Sequence, residues 1–272
     1  MANTIELSIP CTDDLKKEIL LASLAAAGAE GFEEKGEELL VYLEENENLE
    51  TELVNLVREQ GFSFSRRLIA EENWNHSWES NFQPVLVENQ VGIRASFHEP
   101  FKDVETEILI TPKMSFGTGH HATTYLMIKA MLGLDLLNKS LLDFGTGTGV
   151  LAILAEKKGA ESVLAIDNDE WSISNAKENL GNNECSKVIL KKADDLLSIN
   201  QSFDIILANI NRHVILENLA SLKRVLKKQG ILLLSGLLKQ DETIMREALS
   251  THHFTIVNNW EQGDWICIAS TC

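Results

Sequence analysis

Three groups of residues have types and spacings suited to chemistry. Residues 143–149 read Asp-Phe-Gly-Thr-Gly-Thr-Gly, so Asp143 stands two positions ahead of Gly145, with Gly147 and Gly149 alternating behind it. Glycines at this spacing let the backbone turn sharply and let a ligand lie against bare peptide, where a Cβ would collide. The loop lacks the G-x-G-x-x-G spacing of a dinucleotide site and has no Lys followed by Ser or Thr to cradle phosphate. It suits a ligand with a cationic centre and no phosphate, which Asp143 would attract. Asp167 closes the apolar run VLAIDND and lies 22 residues after Gly145. A Rossmann-like unit places there the carboxylate that accepts from ribose hydroxyls. Asn209 ends the buried run FDIILAN, and a polar residue at the carboxyl end of a parallel strand faces the ligand crevice. Together these residues describe a nucleoside site with an amide beside it.

Two further stretches adjoin these groups. Residues 111–124 read TPKMSFGTGHHATT, a polar, glycine-bearing loop feeding a helix that opens at Thr123-Thr124. His120 and His121 are adjacent, but neighbouring side chains diverge and no Cys or carboxylate stands at ligand spacing, so no metal site is expected. The loop is better suited to closing over the ligand. Ala193-Asp194-Asp195 follows a short strand, where an acid either accompanies an adenine amino group or is simply solvated.

These residues need elements to hold them. Strand 4–9, helix 14–27 capped at Thr12 or Asp13, a hairpin of 30–34 and 38–43, helix 49–60 and strand 62–69 give the order βαββαβ. That is the order of a small α+β ferredoxin-like domain, residues 1–70. Residues 71–84, EENWNHSWESNFQP, place Trp74, Trp78 and Phe82 at i, i+4 and i+8, one face of a short helix. They read as an aromatic linker that docks on the next domain, with direct substrate contact as the other reading; His76 has no metal partner there. From residue 85 to 272, two or three strands and helix 125–132 precede an alternating series. It comprises strand 141–144, helix from 150, strand 163–167, helix 171–180, strand 188–191, strand 203–210, helix 214–226, strand 231–235, helix 242–249 and paired strands 254–259 and 265–269. Alternation of this kind makes an α/β sheet.

The chain has 272 residues and a net charge of −17. Residues 1–70 hold 15 acids and 6 bases, a net of −9. Such a surface repels nucleic acid phosphates and favours a basic partner. Four scattered cysteines without a CxxC pair suit a reducing compartment. No apolar run reaches the length of a membrane span, and the first residues lack the basic-then-apolar form of a signal peptide. Cytoplasm is the expected location.

The acid-x-G-x-G-x-G loop resembles motif I of the S-adenosylmethionine-dependent methyltransferases. EENWNHSWESNFQP, TPKMSFGTGHHATT, DFGTGTGVLAI, AIDND, FDIILANI and LLLSGLL then occur in one order and spacing. This resembles the PrmA-type methyltransferases of large-subunit ribosomal protein eleven, from residue 71 to the C-terminus. Phe116-Gly117-Thr118-Gly119-His120 followed by a Thr pair is the specific part. The family often has Cys and Ser where Thr146 and Thr148 stand, and Asn-Ile-Leu where Asn211 ends the triplet.

The resemblance implies a Rossmann-like class I methyltransferase domain preceded by a ferredoxin-like substrate-recognition domain. It implies S-adenosylmethionine as cofactor, contacted by Thr124, Gly145, Asp167 and Asn209, with Asn209 also catalytic beside the methyl group. The implied reaction moves methyl groups to lysine or N-terminal amines of ribosomal protein eleven. Another protein or a small-molecule amine is the alternative acceptor; a glutamine amide is disfavoured because Asn-Pro-Pro-Tyr is absent. Trp265 either walls the site or is an ordinary core tryptophan.

Overall fold

The computed structural model describes residues 4–69, 82–113 and 115–272. It divides into two compact units, Met1–Phe82 and Gln83–Cys272. In the first, β1 (Thr4–Pro10), α1 (Asp14–Ala26), β2 (Gly31–Lys35), β3 (Glu38–Glu44), α2 (Glu47–Glu59) and β4 (Ser65–Ile69) follow one another. The sheet runs β2-β3-β1-β4, with every neighbouring pair antiparallel. Period-two alternation puts Ile5, Leu7 and Ile9 on one face, where they meet Leu20 and Leu24 of α1 and Leu53 and Val57 of α2. Asp13 caps α1, its carboxylate accepting from the Lys16 N–H at 3.2 Å. β4 starts at Ser65, three residues later than the apolar pattern predicts. Phe62 donates its N–H to Val57 at the end of α2, and Phe62 and Phe64 pack on the core instead of joining the sheet. The aromatic-face reading of Trp74, His76 and Trp78 falls outside the described residues.

The second unit opens with a small sheet of β5 (Val85–Val87), β6 (Val91–Arg94) and β7 (Thr106–Leu109). The α/β series is α3 (Ala122–Leu132), β8 (Ser140–Phe144), α4 (Val150–Lys157), β9 (Ser162–Asp167), α5 (Glu170–Asn182), β10 (Val188–Lys192) and β11 (Phe203–Asn209). It ends with α6 (Arg212–Val225), β12 (Leu226–Leu238), a 3₁₀ turn (Lys239–Asp241), α7 (Glu242–Thr251), β13 (Thr255–Gln262) and β14 (Trp265–Thr271). The seven-stranded sheet runs β10-β9-β8-β11-β12-β14-β13. It is parallel except for β14, which pairs antiparallel with both neighbours.

Both faces of this sheet are covered, which is why its central strands are continuously apolar. Leu141, Ile205, Leu207 and Leu233 pack toward α3 and α4, whose Leu126, Met127, Ile153 and Leu154 are buried against them. Leu142, Ile206, Ala208, Leu232 and Leu234 pack toward α6 and α7 through Ile215, Leu219, Met245 and Leu249. Each such Leu or Ile contributes about 1.5–3 kcal/mol by leaving water. β12 is far longer than its apolar core suggests, because residues 227–230 continue from α6 through Gln229 at φ +62° before pairing resumes. The strand order reverses between β8 and β11, and a crevice opens there at the carboxyl ends of parallel strands.

Candidate active site

A cleft of about 490 Å³ occupies that crevice. Gly145 after β8, Asp167 at the end of β9, Asn209 at the end of β11 and Gly236 in β12 all contribute to its wall. Adjacent strand ends thus bring together residues far apart in the chain.

The glycine loop is held by its own backbone. The N–H groups of Gly145 and Thr146 both donate to the Ile166 carbonyl at 2.9 Å. The Gly147 N–H donates to Asp167 Oδ2 at 2.9 Å, and Asp169 N–H to Oδ1 at 3.0 Å. Asp167 is therefore fixed through both oxygens, each of which keeps a lone pair for a further donor. Gly147 lies at φ +54°, and a Cβ there would meet the Phe116 carbonyl oxygen at 2.3 Å. That approach lets the loop around residue 117 strap onto the glycine loop: Thr148 donates its N–H to Phe116 at 2.9 Å and its hydroxyl to Gly117 at 2.7 Å.

Asp143 sits behind the loop, 1% exposed, and accepts from the Thr146 hydroxyl at 2.6 Å. Burial pushes its carboxyl up to about 7, and the nearby Asp167 charge adds to the rise while the Thr146 hydrogen bond opposes it. It does not belong to the cleft wall, so its influence on a ligand is by field and loop shape.

At the other end of the cleft, Asn209 donates Nδ2 to the Thr124 hydroxyl at 3.4 Å. Its Oδ1 is buried and has no hydrogen-bond partner among the described residues. Thr124 is fully buried in the first turn of α3 and meets Asn209, but is not part of the cleft wall. Helix α3 begins one residue before the predicted Thr123-Thr124 opening, because His121 caps it: Nδ1 accepts from the Thr123 N–H at 3.3 Å. Histidine is not among the residues that signal a cap, so the sequence conceals this role. With that lone pair occupied, His121 presents its ring edge-on to Phe116 at 5.1 Å and to Trp265 at 4.6 Å. The three rings line the cleft beside Asn209, so Trp265 is a wall residue. His120 turns away, its Nε2 on the Gln83 carbonyl at 2.8 Å.

One positioning device escaped the sequence reading. On α5 and its C-cap, Asn175, Asn179 and Asn183 follow at i, i+4 and i+8. Asn179 accepts from the Thr111 N–H at 2.8 Å and donates to the Thr148 carbonyl at 2.9 Å. Asn183 accepts from the Leu109 N–H at 3.0 Å and donates to its carbonyl, and Asn175 donates to the Thr111 carbonyl at 3.1 Å. This ladder ties the chain entering the strap loop to the helix behind the glycine loop. Its signal is the four-residue spacing of asparagines, which apolar periodicity passes over.

The charged residues of the cleft wall are Asp167 and Asp194; among the described residues no Lys or Arg lines it. Such a wall rejects phosphate and suits a nucleoside whose charge is positive. The comparisons agree with that chemistry. A family model described as ribosomal protein L11 methyltransferase (PrmA) matches residues 6–272. The chain is 36% identical over 261 residues to the protein named ribosomal protein L11 methyltransferase of Porphyromonas gingivalis, covering 93% of this chain and 90% of that one. It is 38% identical over 278 residues to the protein of the same name from Chlorobaculum parvum, covering 97% and 95%. The crystal structure of ribosomal protein L11 methylase from Lactobacillus delbrueckii subsp. bulgaricus superposes with a TM-score of 0.66 at 29% identity, covering 70% of this chain and 98% of that one. With the glycine loop, the strap and the asparagine-ended strand all within the matched span, the chain belongs to the ribosomal protein L11 methyltransferase family.

Proposed function

We propose that this protein transfers methyl groups from S-adenosylmethionine to lysine or N-terminal amines of ribosomal protein L11. The observation that carries the site assignment is the buried, unpartnered Oδ1 of Asn209 in a cleft walled by acids and aromatic rings. S-adenosylmethionine supplies an electrophilic methyl group on a sulfonium. Asp167 accepts from ribose hydroxyls with its remaining lone pairs, and the backbone at Gly145 and Gly147 forms the floor on which the ligand rests. Asp194, on the cleft wall, would accept from the adenine amino group.

An amine must be neutral to attack, and a free lysine has a pKa of about 10.4. Phe116, His121 and Trp265 line the approach, and an amine seated among these rings loses part of its hydration, which lowers that pKa. Asn209 Oδ1 accepts an amine N–H and aims the nitrogen lone pair, while Thr124 keeps the amide from rotating. His121 is no base in this scheme, because its Nδ1 accepts from the Thr123 N–H in the α3 cap, which leaves the ring proton on Nε2.

The N-terminal unit, residues 1–70, serves as a ferredoxin-like substrate-recognition domain, followed by an aromatic linker, 71–84, and the methyltransferase domain, 85–272. The element order βαββαβ with strand order β2-β3-β1-β4 supports this reading. Its excess of acids suits a basic ribosomal protein. The reaction takes place in the cytoplasm. No helix among the described residues is long and apolar enough to cross a membrane, and all four cysteines are free.

The deciding experiment is methyl incorporation from labelled S-adenosylmethionine into purified ribosomal protein L11, read by intact mass. Mass gains in steps of one methyl, lost in Asn209→Ala, are expected. Full incorporation by that variant would remove Asn209 from the mechanism, and no incorporation by the wild type would point to another acceptor.

A further inference from the structure

Asn209 is followed by Ile210, Asn211 and then α6, so the turn 209–212 carries the end of the cleft assigned above to the acceptor. β12 and the 3₁₀ turn that follows it touch this turn at two points. The first is Gly236, which has φ +81° and lies where the pairing of β12 with β14 shifts register between Leu234 and Leu237. A Cβ built on Gly236 would stand 2.2 Å from the Ile210 carbonyl oxygen, 2.8 Å from its carbon and 3.1 Å from its nitrogen. The bare α-carbon therefore abuts the backbone of Ile210, not its side chain. The second point is Asp241, 7% exposed, whose Oδ1 pairs with the Arg212 guanidinium while Oδ2 accepts from the Leu238 N–H at 2.9 Å. Gly145 approaches the same Ile210 from β8, but there the clash would be with a side-chain methyl, Cγ2, at 2.2 Å.

We propose that the end of β12 and the 3₁₀ turn after it form a platform that positions the acceptor turn, with Gly236 and Asp241 as its two positioning residues. Gly236 seats the Ile210 backbone, and Asp241 holds the turn's far end through Arg212. The turn connects a rigid strand to a helix, and without these contacts its backbone has freedom to drift. A drift of about 1 Å at a reacting centre lowers rate by up to roughly 100-fold. The inference rests on the reading of Asn209 as the acceptor end.

The test compares full-length Gly236→Ala, Arg212→Ala and Arg212→Lys by steady-state methylation of ribosomal protein L11 and by S-adenosylmethionine binding. Gly236→Ala should lower kcat by roughly tenfold or more, a displacement effect of the kind above, with acceptor KM and cofactor Kd within about twofold. Arg212→Ala should lower kcat roughly three- to tenfold, with Arg212→Lys restoring most of it because the charge pair re-forms. Wild-type kcat in both Gly236→Ala and Arg212→Ala overturns the proposal, as does a loss that appears in cofactor Kd instead of kcat. Should Gly236→Ala fail to fold, the Arg212 pair decides: no loss, or no rescue by Lys, overturns it. Asn209→Ala separates the two layers. If that variant keeps full activity, the acceptor-end reading itself has failed. If it is inactive while the β12 variants are normal, only the platform has.

Discussion

The two ends of the cleft are built on different terms. At the glycine-loop end the backbone is satisfied within the protein: Gly145, Thr146, Gly147 and Thr148 each place their N–H on an oxygen of Ile166, Asp167 or Phe116. At the Asn209 end a buried oxygen of the cleft wall has no donor among the described residues. A buried acceptor without a partner costs about 1–3 kcal/mol; Asp143 Oδ1 behind the glycine loop is another such atom, but of the two only Asn209 belongs to the cleft wall. The difference fits the two ligands. A nucleoside of fixed shape is best met by a preformed backbone surface. An amine that arrives, reacts and leaves is met by a single acceptor kept free for it. Pre-organisation and an open valence are separate devices, and the cleft places one at each end.

The largest expected effect probes the satisfied end. Asp143 keeps a proton in the folded chain up to about pH 7 that the unfolded chain loses near pH 4. Between those pH values the folded state binds more protons, so stability falls as pH rises and levels off above about 7. At about 1.36 kcal/mol per unit over roughly three units, the fall amounts to about 4 kcal/mol. Urea unfolding of wild type and Asp143→Asn across pH 4.5–8 should show that slope in the wild type and its loss in the variant. Parallel curves would mean that Asp143 is not the strained group behind the loop. Next in size is Asn209→Ala, expected to lower kcat by about 100-fold, comparable to losing one pre-positioned hydrogen-bonding group in other active sites. Cofactor Kd should hardly move, and a matching loss in Kd would merge the two ends into one. Gly147→Ala should cost about 1–3 kcal/mol of stability, from φ strain and the clash with the Phe116 carbonyl, and should weaken cofactor binding. An unchanged melting temperature and Kd would show that the strap yields easily. The smallest effect is Thr124→Val. Removing the 3.4 Å partner of the Asn209 amide should reduce kcat only a few-fold, or about 1 kcal/mol, with cofactor affinity unaltered.

Much of the glycine-loop end was legible because backbone constraints write themselves into residue type. A chain that must turn beside a ligand uses glycine, and an apolar run that must stop at the crevice ends in Asp167 or Asn209. The βαββαβ order of the N-terminal elements was legible from periodicity, although β4 starts later than its apolar pattern because Phe62 and Phe64 serve the core. The asparagine ladder of α5 was not legible. Asn175, Asn179 and Asn183 look like an ordinary solvated stripe until the backbone of residues 109–111 is brought against them. His121 reads as half of a histidine pair, and only the start of α3 reveals it as a cap.

By itself the amino-acid sequence determined the α/β alternation, the glycine loop, the carboxylate on β9 and the amide on β11, because each depends on a local rule of backbone or burial. Tertiary structure alone decided which partners those groups have. Thr124 was expected at the cofactor, yet its hydroxyl lies on the Asn209 amide, 85 residues away in the chain. Gly236, which the sequence offers only as part of the segment LLLSGLL, lies against the Ile210 backbone. Hydrogen bonds and close approaches between distant segments depend on sheet order and register, and no periodicity along one strand or helix encodes them.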